Sequence, residues 1–336
     1  MRRLICLILL VTFSIILIPT ASAHVPVESG GNDSLEHALD VENPTKSWAI
    51  YDGLEHGAEA RYYKVEMKKG DRLKISVFTP EESDFSPGIV VMGMSFPNQT
   101  GVPEFVEVPQ EYSTVVVPGE RAEHAEYEPF TPSISYRTAE FDETVNKSGV
   151  YYFAVFEPEN SGKFGVAIGY IESFSVQEWL LIPFDVINIH LWEGQNIGMI
   201  LVPLIVVFIV GKIFLFYRRI KLDKPPHKLH EWLGGIASLL YMGTGAMILL
   251  QMAIALSISG ATPAVVVTLI FAALPIILGY FILKFSIHGE AKLTMNSRIK
   301  LLIYGALGLV FWAGLIVGPL IVIIISLLPN INNRSL

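Results

Sequence analysis

Four long apolar segments in the second half of the chain constrain its fold more than any other feature. They run from Ile197 to Tyr217, from Trp232 to Ile258, from Ala264 to Phe285 and from Leu301 to Leu328. Each is long enough to cross a bilayer as a helix, and a backbone in lipid must satisfy its amide groups internally. The sequence therefore predicts an all-α four-helix transmembrane domain over residues 197–328.

Basic residues between these segments predict the orientation of the chain. Lysines and arginines concentrate in residues 218–228, after the first segment, and in residues 292–300, after the third. Short loops rich in Lys and Arg stay in the cytoplasm. We therefore expect a multi-pass protein of the cytoplasmic membrane, with the lipid bilayer as its first partner. The part before residue 197 and the tail 329–336 are then outside.

The first 23 residues have the pattern of a secretory signal peptide. Arg2 and Arg3 precede an apolar run, which ends in the small residues Ala21-Ser22-Ala23 that suit signal peptidase. We expect cleavage after Ala23 and a mature chain that begins at His24. The single cysteine, Cys6, leaves with the signal. Its loss excludes disulfides, zinc–thiolate sites, iron–sulfur clusters and a cysteine nucleophile from the mature chain.

Charge divides the mature chain at about residue 195. Residues 24–195 carry 29 acidic and 11 basic side chains, whereas residues 196–336 carry 3 acidic and 11 basic ones. An acidic surface repels nucleic acid and anionic lipid head groups. No nucleic-acid partner is therefore expected.

Alternation with a period of two residues predicts β-strands in the acidic half. In the run from Arg61 to Met67, Tyr63, Val65 and Met67 face one way. Residues 69–71, Lys-Gly-Asp, are typical of a hairpin turn before a second alternating strand. Further strand candidates are Gly88 to Met94, Tyr112 to Val117, Gly149 to Phe156 and Phe164 to Ile171. Short strands separated by turn residues predict an all-β antiparallel sandwich over residues 24–175.

Two of these segments resemble a known family. The run Arg61 to Phe78, with its Lys-Gly-Asp turn, and the run Ser148 to Val155, followed by Gly162 to Ile168, look like the bacterial and archaeal pre-peptidase C-terminal type of β-sandwich domain. The resemblance covers about half of the acidic segment and implies a non-catalytic accessory or binding module without fixed active residues. The long insert from Pro97 to Thr138 departs from the family's compact form.

The residues between the two halves predict a membrane-interface linker. Residues 176–196 carry Trp179, Phe184, His190 and Trp192 among aliphatic side chains. Tryptophans at both ends of an apolar stretch suit the bilayer interface. We expect a short amphipathic segment that seats the acidic domain on the outer leaflet.

Two features of the acidic half are candidate metal sites. After cleavage, the α-amine and imidazole of His24 would form a chelate that suits copper. Residues 123–128, Glu-His-Ala-Glu-Tyr-Glu, offer Glu123, His124 and Glu126 to a divalent cation. The candidates for a second copper ligand beside His24 are His37, His56 and His124. A solvated acidic loop and a chance histidine are the alternative interpretations.

Two further patterns concern the membrane half and glycosylation. His230 and His288 flank the cytoplasmic ends of the second and third apolar segments, an arrangement that a two-histidine haem site would use. Ordinary interfacial histidines are the alternative. Acceptor triplets for N-glycosylation occur at residues 32, 98, 146 and 333, all in parts expected outside.

These patterns together predict a membrane-anchored binding or scaffolding protein of the cell surface that is not an enzyme. Small residues at four-residue spacing on the apolar segments suit helix contacts, so a membrane-protein partner or a homo-oligomer is expected. A copper-handling envelope protein that uses His24 is the alternative function. A haem-containing membrane oxidoreductase is the third.

Overall fold

The computed structural model describes residues 25–28, 30–94, 96–97, 100–221, 228–288 and 293–329. The predicted signal peptide, His24 and the predicted tail from residue 330 lie outside the described residues. The chain divides into two compact units, and the main boundary lies between Phe174 and Ser175. We refer to the residues before this boundary as the sheet unit and to those after it as the helical unit.

The sheet unit consists of two mostly antiparallel sheets. Its strands are β1 (Val25–Glu28), β2 (Leu39–Asp40), β3 (Trp48–Leu54), β4 (Glu59–Met67), β5 (Arg72–Thr79), β6 (Gly88–Gly93), β7 (Ser113–Val117), β8 (Glu126–Glu128), β9 (Ser133–Thr144), β10 (Gly149–Glu157) and β11 (Gly162–Ile168). One sheet has the order β1-β3-β11-β5-β9-β8 and the other the order β2-β4-β10-β6-β7. Only β1 with β3 and β2 with β4 pair in parallel among the registered pairs of described strands.

The predicted strands are confirmed, with small shifts at their ends. The alternating run after Arg61 forms β4, the next alternating run forms β5, and the other four candidates correspond to β6, β7, β10 and β11. The predicted hairpin at the Lys-Gly-Asp turn is wrong, because β4 and β5 belong to different sheets and the turn crosses between them. Both sheets contribute to one hydrophobic core. Tyr63, Val65 and Phe153 of one sheet and Ile75 and Phe164 of the other are fully buried in it. Alternation thus identified the inward faces correctly.

The second sheet is buried on its other face as well. Tyr62, Met92 and Phe156 belong to a separate hydrophobic cluster, which also contains Val106. The Tyr62 hydroxyl accepts a hydrogen bond of 2.8 Å from the Glu107 amide. Residues of the predicted insert 97–138 therefore cover this face of the sheet, which is opposite to the face that contains Tyr63.

The helical unit begins before the first apolar segment. Its helices are α1 (Val176–Trp192), α2 (Ile197–Lys221), α3 (Leu229–Ser259), α4 (Val265–His288), α5 (Met295–Val310) and α6 (Val317–Leu327). The predicted linker 176–196 contains α1, and the Trp179 ring of α1 contacts Trp312 with a centroid distance of 4.7 Å. This segment is therefore packed into the helical unit, and its predicted position at a membrane interface stays a prediction.

Among the described residues, three helices are long and apolar enough to cross a membrane, namely α2, α3 and α4. They match the first three predicted segments. The fourth prediction, one span from Leu301 to Leu328, is wrong, because residues 311–316 interrupt it with positive φ angles at Trp312, Gly314, Leu315 and Ile316. Left-handed conformations end an α-helix, and they leave α5 and α6 as two short helices.

The two short helices pack side by side in opposite directions. At one end, Nη1 of Arg298 near the start of α5 donates a 2.7 Å hydrogen bond to the carbonyl oxygen of Ser326 near the end of α6. Closer to the turn, Gly308 lies against Pro319. The two helices and the turn therefore form a hairpin, whose free end contains both Met295 and Leu327. We call it the α5–α6 hairpin.

Contacts with α3 show how far the α5–α6 hairpin reaches. At its tip, the Gly314 amide donates a 2.9 Å hydrogen bond to Oγ1 of Thr244, in the middle of α3. Further along α6, Ile325 lies beside Gly234, close to the start of α3. The chain therefore turns back half-way along α3, and α6 ends near the start of that helix. The sequence had predicted a complete crossing that placed the tail at the opposite end.

Small residues make the close helix contacts that the sequence predicts. Gly243 of α3 lies against Leu204 of α2, and Gly245 of α3 lies against Ala272 and Ile276 of α4. A larger side chain at either glycine would meet backbone or branched carbons there. These positions therefore fix the distances between the three long helices.

The α5–α6 hairpin predicts that residue 329 and the start of α5 are accessible from the same side of the membrane. In a variant whose Cys6 is replaced by serine, Met295→Cys, Pro329→Cys and Ala261→Cys each introduce one exposed thiol. A membrane-impermeant maleimide should label Pro329→Cys and Met295→Cys from one side and Ala261→Cys from the other. Labelling of Pro329→Cys together with Ala261→Cys would show that the fourth segment crosses the membrane.

Candidate functional site

The predicted acidic metal site receives no geometric support from the structure. Glu123 and His124 are exposed in the connection between β7 and β8. Oε2 of Glu126 instead accepts a 2.8 Å hydrogen bond from Nη2 of Arg137, which also binds Glu140. The described residues include no group of three or more His, Cys, Asp or Glu side chains that could hold a metal ion. His24 lies outside the described residues, so its copper chelate stays a prediction.

The two histidines of the predicted haem site lie in different local environments. His288 is exposed, and its Nδ1 donates a 2.8 Å hydrogen bond to the carbonyl oxygen of Lys284. The His230 ring packs against Phe285 at a centroid distance of 6.5 Å. Nothing in these contacts engages the two rings with each other, and the haem site stays a prediction.

A polar pocket that the sequence did not predict lies at one end of the sheet unit. Pairing of β3 with β11 sets Lys163 opposite Gly53, and the segment before β2 brings Gly30 and Asn32 to the same place. The cavity has a volume of about 510 Å³, which suits a small molecule. We call it the Asp52 pocket and define it by Gly30, Asn32, Asp52, Glu55, Arg61 and Lys163, which all line it.

Asp52 is the centre of a hydrogen-bond network at the wall of this pocket. Its Oδ2 accepts hydrogen bonds from the Tyr63 hydroxyl at 2.7 Å and from Nδ2 of Asn32 at 3.2 Å. Its Oδ1 accepts a 2.8 Å bond from the Gly53 amide. Both oxygens therefore have partners, so this carboxylate holds three chain segments together and has little capacity left for a ligand.

Arg61 differs from Asp52, because few of its N–H donors form hydrogen bonds. The side chain is 15% exposed, and its nearest carboxylate oxygens lie 3.8 Å away on Asp52 and 3.6 Å away on Glu59. These distances exceed the usual 2.7–3.2 Å of an N–H···O hydrogen bond. Its one hydrogen bond among the described residues runs from Nη1 to the Ala60 carbonyl oxygen at 3.5 Å. A guanidinium with spare donors in a pocket can bind a planar anionic group.

Asn32 connects the pocket to the hydrophobic core. The residue is 1% exposed, and its Oδ1 is a buried acceptor without a hydrogen-bond partner among the described residues.

Because Nδ2 of Asn32 is bound inside the protein, the folded chain hides this predicted glycosylation site. Asn146, in contrast, is exposed between β9 and β10. Residues 98 and 333 lie outside the described residues.

A second polar cluster that the sequence did not predict occurs in the helical unit, where α1 turns into α2. The Gly194 amide donates to the Leu191 carbonyl oxygen, and the Gln195 amide donates to that of His190, both at 3.0 Å. These two bonds form a Schellman motif, and Gly194 takes the φ of +94° that the motif needs. We call residues 190–195, together with Gln251 of α3, the His190 elbow.

The His190 elbow contains buried polar atoms in an otherwise apolar unit. His190 is 1% exposed, and its Nδ1 donates a 2.8 Å hydrogen bond to Oε2 of Glu193. Gln195 and Gln251 exchange two amide hydrogen bonds, each of 2.9 Å. Nε2 of His190 and Oε1 of Glu193 are buried without partners among the described residues. The elbow thus ties the α1–α2 turn to α3.

Sequence reasoning missed both polar clusters because their members are far apart in the chain. Asn32 and Tyr63 are 20 and 11 residues from Asp52, and Gln251 is 56 residues from Gln195. The local signals were weak. They are the polar Asp52-Gly53 pair inside the apolar run of β3 and the glycine that follows α1.

The network around Asp52 predicts that Tyr63→Phe destabilises the sheet unit. The change keeps the buried ring but removes one of the two hydrogen bonds to Oδ2 of Asp52, and a hydrogen bond to a charged group contributes about 1.5–3 kcal/mol. Pulse proteolysis of the full-length protein in urea measures the loss. Tyr152→Phe is the matched control, because the Tyr152 ring packs against Tyr112 and its hydroxyl has no hydrogen bond among the described residues. Equal effects of the two changes would contradict the assigned role.

The same tyrosine predicts a loss of stability at alkaline pH. Burial, and then the negative charge of Asp52, raise the pKa of Tyr63 well above its ordinary value. Above about pH 10 the unfolded chain loses this proton while the folded chain keeps it, so the stability that Tyr63 contributes declines as pH rises. The difference between wild type and Tyr63→Phe should therefore shrink above pH 10, by at most about 1.4 kcal/mol per pH unit. A constant difference from pH 8 to pH 11 would be inconsistent with this assignment.

Comparison of the sequence with known protein families finds no matching family, and comparison with curated proteins finds no similar protein. The chemistry of the Asp52 pocket therefore has to be inferred from its own residues. They include the Asp52 carboxylate, which accepts three hydrogen bonds, the Arg61 guanidinium, which has no carboxylate within hydrogen-bond distance, and the exposed Lys163 ammonium.

Proposed function

We propose that this protein is a non-catalytic binding protein of the cell surface, anchored in the cytoplasmic membrane, that takes up its ligand in the Asp52 pocket. The observation that carries the proposal is Arg61, a largely buried guanidinium that lines a cavity and lies 3.8 Å from Asp52 and 3.6 Å from Glu59, beyond hydrogen-bond distance of either carboxylate. Burying such a group is costly unless its donors are used, and a ligand in the pocket would use them.

Apolar helices support the proposed membrane anchor. Among the described residues, three helices of 25, 31 and 24 residues are apolar enough to cross a bilayer. Arg218, Arg219 and Lys221 in the last turn of α2 favour a cytoplasmic end there. The sheet unit then lies outside, and the α5–α6 hairpin is the fourth membrane element, entered and left from the cytoplasm.

The sheet unit fits the proposed role of a binding module. Two sheets that share one core suit the β-sandwich that the resemblance to pre-peptidase C-terminal domains implies. That family is associated with binding or accessory roles, and Asp52, with both oxygens occupied, is a poor general base. Scaffolding belongs to the same proposal, with a membrane-protein partner or a second copy beside the helical unit.

Among the residues that the structure describes, no contact favours the copper-handling function or the haem-containing oxidoreductase. The copper-handling function depends on His24, which lies outside the described residues, and the haem-containing oxidoreductase depends on His230 and His288. Both therefore remain sequence predictions.

The proposal predicts that filling the pocket abolishes retention of a small molecule. Gly30 lines the pocket and a Cβ added there meets no atom within 4 Å, so Gly30→Trp places a large ring at the cavity. Full-length protein in detergent is equilibrated with a small-molecule extract of the source cells and washed, and retained compounds are released for mass spectrometry. At least one compound should be retained by wild type and reduced roughly tenfold or more in Gly30→Trp.

Lys68→Trp is the matched control for this experiment. Lys68 is exposed in the turn between β4 and β5 and does not line the pocket. Its variant should retain the same compound as wild type. Identical retained compounds in all three proteins would refute the pocket as the binding site.

A further inference from the structure

We infer that the Asp52 pocket takes small zwitterions, molecules that carry one carboxylate and one ammonium group. The inference rests on the proposed binding function and names the ligand class for that site. It follows from the charges that line the pocket and from the charge of the whole acidic half.

The pocket has separate groups for the two ends of such a ligand. Arg61 offers poorly used N–H donors, and Lys163 adds an exposed cation at the same cavity. A guanidinium binds a carboxylate through two parallel hydrogen bonds. Glu55 is an exposed carboxylate that lines the same cavity, and an ammonium group suits it.

Asp52 has less capacity left for the ammonium end. Its hydrogen bonds from Tyr63, Asn32 and the Gly53 amide use three of the about four acceptor positions of a carboxylate. Glu59 is engaged as well, because its Oε2 accepts hydrogen bonds from the Glu55 amide at 2.8 Å and the His56 amide at 3.3 Å. The exposed Glu55 is therefore the acidic side chain of the pocket that suits the ammonium group best.

The surrounding charge disfavours a simple anion. Residues 24–195 carry a net charge of −18, counted with neutral histidine, and such a field lowers the local concentration of anions. A lone cation would repel the guanidinium of Arg61 and would leave its poorly used donors without an acceptor in the filled pocket. A zwitterion has no net charge to be repelled, and it satisfies both kinds of side chain. A volume of about 510 Å³ accommodates an amino acid or a dipeptide.

Calorimetric titration of the full-length protein in detergent tests the inference. The probes are L-alanine and L-alanyl-L-alanine as zwitterions, acetate as the anionic half and ethylamine as the cationic half. At least one zwitterion should bind ten times or more as tightly as either half. Arg61→Gln should weaken the zwitterion and acetate at least tenfold, and Glu55→Gln should weaken only the zwitterion and ethylamine.

Arg121→Gln is the control variant, because Arg121 is an exposed arginine of the sheet unit that pairs with Glu82 and Asp84 and does not line the pocket. It should bind every probe as wild type does. Zwitterion binding that is no tighter than acetate or ethylamine binding, or that is weaker than about 10 mM, would overturn the inference. So would zwitterion affinities that are unchanged in Arg61→Gln.

The retention experiment with Gly30→Trp separates this failure from failure of the proposed function. If Gly30→Trp abolishes retention of a compound that is not zwitterionic, the pocket is a binding site and only the ligand class is wrong. If Gly30→Trp changes nothing, the pocket is not the binding site and both proposals fall together.

Discussion

The Tyr63 side chain joins the core of the sheet unit to its polar pocket. Its ring is fully buried and stacks on Phe153 with a centroid distance of 4.7 Å and an angle of 11° between the ring planes. Its hydroxyl donates to Asp52, which in turn holds Asn32 and the Gly53 amide. Because protein cores are close-packed, the ring cannot shift without its neighbours, so the position of the carboxylate follows from the packing of β4 on β10.

This connection explains why the pocket can hold charged groups without loosening the fold. Asp52 is the most strongly bound member, and burial raises the pKa of Tyr63 so that its donor is retained into the alkaline range. Arg61 and Glu55 lie around this fixed point with less satisfied contacts. A binding site needs some groups that are held rigidly before the ligand arrives and others that are available to contact it. Asp52 suits the first role, and Arg61 and Glu55 suit the second.

The helical unit is governed by the requirement that every backbone polar group in lipid has a partner. Residues 311–316 break the last apolar segment, which would be costly if they faced lipid. The break is tolerated because it is packed inside the helical unit, where Thr244 of α3 accepts the Gly314 amide and where the buried rings of Phe311 and Trp312 contact Phe271 of α4. At the other end of the α5–α6 hairpin, Arg298 binds a carbonyl oxygen in the last turn of α6. The His190 elbow meets the same requirement for the α1–α2 turn through the Schellman bonds and the Gln195–Gln251 pair.

Local patterns in the sequence were enough to determine six of the eleven described strands, the core face of β4 and the three long apolar helices, because alternation, turn residues and run length act over a few neighbouring residues. Only the tertiary structure determined that Asn32, Asp52 and Arg61 meet at one pocket, that the insert covers Tyr62, and that Gln251 pairs with Gln195. It also determined that the fourth apolar segment turns back at residues 311–316. Hydropathy measures how apolar a segment is, and that property is the same for a straight span and for a hairpin whose turn is buried against a neighbouring helix.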